Sequence, residues 1–249
     1  MIGPAFGGLA AGISVQAAFF LAALLSAANF CSIFFQVREP KEKAESKAVV
    51  AQEITLLEHI KSPILLLFLA SFMTAFMIGG LDATLAIFLN EKLGFTATQM
   101  GLVFAYIGAL IFIMQYFTGR LVNRFGEKKL VSAGLFLSAT GFLLLLFVTS
   151  WVELLFPLLV FVLGNALVFP SVTSLITKRV VGKRGAVLGL TSSFNSLGQM
   201  IGPLLGGFLY GFNHAYSFAG LAAVTLAYLV LFVKYGWKID AQISRLPTG

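Results

Sequence analysis

The amino-acid sequence predicts an all-α polytopic membrane protein with about seven transmembrane helices, and three observations predict it. Of 249 residues, 59% are hydrophobic and only 11% charged, whereas soluble domains carry roughly 25% charged residues. Seven apolar runs approach or exceed the roughly 20 residues that a spanning helix needs. The basic residues fall in alternate connections between those runs. A net charge of +7 could point to nucleic acid. Here the charges are confined to short loops between apolar stretches, which fits a lipid bilayer surface and no nucleic-acid partner.

The runs lie at 17–37, 64–89, 98–119, 130–150, 153–177, 186–212 and 215–235. The first is followed by Arg38, Lys41, Lys43, Lys47 and Lys61, the third by Arg120, Arg124, Lys128 and Lys129. The fifth is followed by Lys178, Arg179, Lys183 and Arg184, and the last by Lys234, Lys238 and Arg245. The connections near Trp151 and His214 have no Lys or Arg, so all but Lys92 of the 17 basic residues share one side. By the positive-inside rule that side is cytoplasmic, with the N-terminus outside and the C-terminus inside. A cell-membrane, multi-pass location follows.

Residues 1–12 are too short to span alone and have no basic segment of the kind that opens a signal peptide. The segment 38–62 is the long polar connection. Its charged first part reads as flexible chain. Val50, Ile54, Leu57 and Ile60 then recur at helical spacing, as in a short helix lying on the membrane surface. The lone Cys31 can form no intramolecular disulfide and reads as a packing residue.

Residues 2–8 read IGPAFGG and residues 201–207 read IGPLLGG, an offset of 199. Self-similarity at that spacing points to duplicated halves. Glycines four apart let helix backbones approach closely, and proline removes a backbone hydrogen bond and bends the helix. A bent, tightly packed helix suits a protein that rocks between two shapes; simple close packing would use the same residues.

The stretch Gly119-Arg120-Leu121-Val122-Asn123-Arg124-Phe125-Gly126-Glu127-Lys128-Lys129 resembles the cytoplasmic loop signature of the major facilitator superfamily. That signature is Gly, three residues, Asp, a basic residue, any residue, Gly, then basic residues. The Gly-Pro-x-x-Gly-Gly pattern of Gly3, Pro4, Gly7 and Gly8, repeated at Gly202, Pro203, Gly206 and Gly207, looks like the motif of its drug–proton antiporters. Their fifth helix carries it, commonly with a copy on the eleventh. The resemblance implies a twelve-helix parent in two six-helix halves, with this chain running from the end of helix five to helix twelve. Residues 1–37 would then be a remnant of the first half (the end of helix five, then helix six) and 38–62 the central cytoplasmic loop. Residues 63–236 would form the six-helix second half and 237–249 a cytoplasmic tail. Two positions depart from the loop pattern: Asn123 stands where Asp is usual, and Glu127 where a basic residue is usual.

Of the ten acidic residues, Asp82 alone lies well inside a run. It is 18 residues beyond Ile64, about 27 Å along a helix axis, and so in the outer half of the span. A carboxylate in hydrocarbon is costly, so such a group exchanges protons readily and attracts cations. It could equally reach water or cap backbone groups. The segment resembles multidrug–proton antiporters that carry an acid at the matching place on helix seven, which implies proton coupling at Asp82. Those proteins often have a second acid in helix ten, within Gly-x-Asp-x-x-x-Pro. Here Gly164-Asn165-Ala166-Leu167-Val168-Phe169-Pro170 places Ala166 at that position, so coupling in this half rests on Asp82.

Asn165, Asn195 and Gln199 could bond a substrate across a central cavity, or a neighbouring helix. Phe72, Met73, Phe76, Met77 and Tyr106 could form an adaptable apolar lining, or pack the core. No His-Glu-x-x-His, Cys-x-x-Cys or Walker loop occurs, so neither an enzyme nor a metal site is expected, and no cofactor beyond a proton as coupling ion. The expected function is secondary active transport, a proton-coupled efflux of small hydrophobic or cationic compounds by alternating access. One alternative is an inactive fragment, or one that needs a missing N-terminal half or a second copy to complete its site. A seven-helix receptor is a remote alternative; a retinal-type pigment would need a lysine inside the last span, and none precedes Lys234.

Overall fold

The computed structural model describes residues 14–36, 64–178 and 184–236. Within them the chain is helical, with seven long helices and no strand. These are α1 (Val15–Gln36), α2 (Ile64–Glu91), α3 (Ala97–Phe125), α4 (Glu127–Leu144), α5 (Trp151–Thr177), α6 (Arg184–Tyr210) and α7 (His214–Tyr235); a 3₁₀ turn at Leu145–Phe147 extends α4. The surface helix expected within 38–62 and the first Gly-Pro motif (Gly3, Pro4, Gly7, Gly8) lie outside the described residues.

Among the described residues, five helices are long and apolar enough to cross a membrane: Leu65–Glu91, Ala97–Val122, Glu127–Phe147, Trp151–Thr177 and His214–Tyr235. The other two differ from the even set of seven runs in opposite ways. The apolar stretch of α1 is shorter, Phe19–Phe35. By contrast α6 is long, but Ser192, Ser193, Asn195, Ser196 and Gln199 dilute its apolar character.

Local chemistry fixes the helix starts. At the end away from the basic loops, Thr96 and Ser150 each form a capping box, with Gln99 and Glu153 respectively. There Asn213 Oδ1 accepts from Ala215 N at 2.9 Å. Such caps satisfy backbone N–H groups that the first turn leaves free. Lys92, at that end, donates to His214 Nε2 (3.2 Å) and lies over the Phe88 ring. At the basic end, Gly126 turns the chain between α3 and α4 with φ +80°, a conformation that side chains disfavour.

Two glycine seams organise the packing. The broadest contact is α2 on α6, followed by α4 on α5. A Cβ at Gly198 would meet Phe72 O at 2.2 Å, and one at Gly202 would meet Phe76 O at 2.4 Å. In the second seam Gly134 and Gly164 face each other so closely that a Cβ on either would lie 2.5 Å from the other's carbonyl oxygen. α7 closes the bundle against α4, α6 and α2, and α3 leans on α5. The shared core includes the fully buried Phe76, Phe88, Phe142, Phe218 and Phe232. Some buried hydroxyls bond across it, as where Tyr228 donates to Leu66 O at 2.7 Å and Ser217 to Gly206 O at 2.8 Å, while Ser171 Oγ has no partner among the described residues. α1 stands outside this core with Phe19, Phe20, Phe30, Phe34 and Phe35 exposed.

Prolines shape α5 and α6. Proline lacks the N–H that would bond the carbonyl four residues earlier. In α5, Pro170 therefore leaves the Ala166 carbonyl without its helical donor, and Thr118 Oγ1 of α3 approaches that oxygen at 3.2 Å. In α6, Pro203 frees the Gln199 carbonyl. A Cβ at Gly79 would lie 3.3 Å from that oxygen and 3.1 Å from Pro203 Cδ. The bare glycine accommodates the bend.

Candidate functional site

A cavity of about 340 Å³ opens between α2, α3 and α5. Two polar side chains line it, Asp82 from α2 and Asn165 from α5, among hydrocarbon walls that include Leu81, Phe104, Ile107 and Phe161. The local sequence explains the placement of Asp82. One face of α2, with Gly80, Thr84 and Leu85, is packed against α6 and α7 or buried beneath them. Thr84 is spent on its own helix, donating to Gly80 O at 2.6 Å. Asp82 lies off that face, with Ile78 one turn before it on the cavity wall. Its carboxylate has no hydrogen-bond or ion-pair partner among the described residues and is exposed at the cavity.

Asn165 differs. It is only 6% exposed, and its Nδ2 has no hydrogen-bond partner among the described residues. Its neighbour Gly164 locks α5 onto α4, while Asn165 itself contributes to the wall shared with α2 and α3.

Other residues that the sequence pointed to go elsewhere. Met73, Phe76 and Met77 are buried in the shared core and are not among the residues that line this cavity. The α2–α6 glycine seam draws that face of α2 inward. Phe72 packs on the same core and stacks on Phe76, with ring centroids 5.8 Å apart. Tyr106 donates to Leu155 O (3.2 Å). It lines a second cavity of about 340 Å³, near the starts of α3 and α5, with Phe95 and Trp151. Asn195 is half-buried and Gln199 exposed on α6, away from the α2–α3–α5 cavity. Gly206 packs on Thr84; Gly207 has open space around it.

At the basic end, Gly119 also has open space. Arg120 reaches back along α3, donating to Tyr116 Oη at 3.0 Å with its guanidinium over the ring. Arg124 lies over Phe125. The side chain of Asn123 lies outside the described residues. Glu127, which the sequence marked only as a departure from the loop pattern, is a junction. It pairs with Lys178 and accepts from Ser174 Oγ at 3.0 Å, tying the start of α4 to the end of α5. Its neighbour Lys128 donates to Gly236 O at 2.7 Å, tying that start to the end of α7. Glu127 and Thr118 are the residues that sequence reasoning missed. The Pro170 position was the available signal for Thr118, since a proline in mid-helix announces a carbonyl in need of a donor.

A helical bundle with paired glycine seams, proline-bent helices and long apolar helices is the build of a multi-pass membrane protein. The family model of the Major Facilitator Superfamily matches residues 1–114 and 67–248, and the chain belongs to that family. It is 32% identical over 202 residues to the class D tetracycline resistance protein of Salmonella ordonez, covering 78% of this chain and 50% of that protein. Against Multidrug resistance protein 1 of Bacillus subtilis (strain 168) it is 29% identical over 248 residues, 98% of this chain and 62% of the relative. The class C tetracycline resistance protein of Escherichia coli is 30% identical over 248 residues, with 95% and 62% covered. The chain thus spans 50–62% of the length of these relatives. Among solved structures, the human organic anion transporter MFSD10 matches at a TM-score of 0.63 with 27% identity, covering 67% of this chain and 39% of that one. A peptide transporter crystallised with sulfate shares the fold at a TM-score of 0.65 and 23% identity, with 70% and 38% covered.

Proposed function

We propose that the chain serves proton-coupled efflux of small hydrophobic or cationic compounds across the cell membrane, with the basic end of the bundle in the cytoplasm. The observation that carries this reading is Asp82: a carboxylate with no partner among the described residues, facing a cavity whose walls are otherwise almost entirely hydrocarbon. Proteins named for tetracycline and multidrug resistance are its relatives, which supports export over uptake. Alternating access requires the proton to bind one state of the protein better than the other. A carboxylate that is solvated in one state and enclosed in the other meets that requirement, since enclosure favours the neutral form. The proton is the coupling ion, and no other cofactor enters.

The test is ethidium efflux from energised cells expressing the chain. Export should collapse with a protonophore and disappear in Asp82→Asn. Wild-type export by Asp82→Asn would remove the coupling role.

A second reading is that transport requires a partner, either an N-terminal half or a second copy. It is favoured by the apolar side chains that α3 and α6 leave exposed, Phe112, Tyr116 and Phe117 on one and Met200, Leu204 and Phe208 on the other. Efflux that appears only when the N-terminal half of the Bacillus relative is co-expressed would select this reading.

A further inference from the structure

We propose that the cavity between α2, α3 and α5 selects hydrophobic cations that also carry a hydrogen-bond-accepting oxygen, and that the Asn165 amide is the group that reads that oxygen. The inference rests on the substrate cavity proposed above and deepens it. Asp82 supplies charge, which any lipophilic cation satisfies. Asn165 supplies a directional requirement that only some cations meet.

The starting point is a deficit. Asn165 is only 6% exposed, and its Nδ2 has no acceptor among the described residues. A buried amide N–H without a partner is costly, and native structures keep few of them. The surroundings cannot correct it. Backbone carbonyls within a helix are already engaged, except where proline interrupts the ladder. The carbonyl released nearby is that of Ala166, and Thr118 Oγ1 approaches it. The cavity walls Leu81, Ile107, Phe104 and Phe161 are hydrocarbon. Asp82 has an acceptor to offer, yet no hydrogen bond joins it to Asn165. What remains is whatever enters the cavity.

The amide can serve an entering ligand. Its terminal torsion is broad and two-fold, so a half turn exchanges Oδ1 and Nδ2 at little cost. A ligand oxygen in the cavity then gives the NH₂ group a partner that the empty protein lacks. The size is adequate as well. About 340 Å³ lies within the range of pockets that hold small organic ligands. Phe104 and Phe161 provide flat apolar walls for rings. A site with a buried polar group of this kind disfavours an analogue that lacks the matching atom, because the group is then left unpaired.

The test uses the chain in lipid nanodiscs and two probes, (4-benzoylbenzyl)trimethylammonium and (4-benzylbenzyl)trimethylammonium. They share charge, rings and length, and differ by a ketone in place of a methylene. Isothermal titration should show the ketone binding about tenfold tighter to the wild type. In Asn165→Leu the ratio should fall to within about twofold, with binding of the methylene probe retained. An undiminished ratio in Asn165→Leu would overturn the assignment, and so would a wild type that binds both probes equally, a result that needs no variant to fold. Failure of the underlying reading looks different. A wild type that binds neither probe overturns the cavity itself and this inference with it. An Asp82→Asn variant that binds both probes like the wild type removes the charge role of Asp82 while the ketone preference still supports Asn165.

Discussion

The Thr118 hydroxyl lies 3.2 Å from the Ala166 carbonyl, the oxygen that Pro170 leaves without a helical donor. The same hydroxyl is 2.7 Å from Met114 O in its own helix. It carries one proton, so it serves one oxygen at a time. When it serves Ala166, α3 stabilises the bend in α5.

Replacing Thr118 by Val keeps the shape and removes the donor. Thermal unfolding in detergent should show a loss of about 1 kcal/mol, the size of a hydrogen bond between membrane helices. Thr118→Ser should retain most of that stability. Equal behaviour of the two variants would mean that the hydroxyl does not support the bend.

Gly202→Ala should be severe, because its Cβ would fall 2.4 Å from Phe76 O and 2.9 Å from Gly80 N. Both are backbone atoms, so the α2–α6 seam must open. A cost of about 2 kcal/mol or more is expected from overpacking at such a site. Gly189→Ala, on the same helix with open space around it, should be neutral or gain up to about 1 kcal/mol from helix propensity. Comparing the two melting temperatures checks the seam directly.

Asp82→Asn should leave the fold intact. The carboxylate has no partner among the described residues to lose, and an amide is less costly than a charge in an apolar cavity. The melting temperature should therefore hold or rise while the proposed efflux is lost. A variant that unfolds would mean that Asp82 is held by contacts beyond the described residues.

Glu127→Gln removes the ion pair with Lys178 but can keep the bond from Ser174. Lys178 is 65% exposed, so the change should cost less than about 1 kcal/mol and shrink further at high salt. Glu127→Ala removes both contacts. Hydrogen exchange at residues 126–130 and 174–178 should then rise more than in Glu127→Gln.

Much of the fold could be read from the sequence because bilayer physics leaves few options. A run of 20 apolar residues has to be a helix, and the basic loops set the alternation. The capping boxes of Thr96 with Gln99 and of Ser150 with Glu153 fix two helix starts more sharply than the apolar runs do. The site was only half legible. Asp82 and Asn165 stood out as polar residues in apolar surroundings, and they do share a cavity. Which apolar residues join them was hidden. A helix that is apolar on every face gives no amphipathic signal to separate core from cavity. By pattern alone, Met73 and Phe76 do not differ from Ile78 and Leu81, which share their helix and line the cavity. Only the pairing of α2 with α6, set by Gly198 and Gly202, decides which face of α2 turns inward.

The two rims of the bundle respond differently to damage. At the rim bearing Thr96, Ser150 and Asn213, each helix start is closed by bonds within its own first turn. Losing the Thr96 or Ser150 cap there frays that helix first, and the side-chain bond across this rim runs from Lys92, just past α2, to His214 at the start of α7. At the basic rim, α4 begins with no side-chain cap of its own. Its order comes from Glu127 bonded to α5 and Lys128 bonded to the residue just past α7. A disturbance at that rim passes from helix to helix, which makes it the rim where a local chemical event can become a movement of several helices at once.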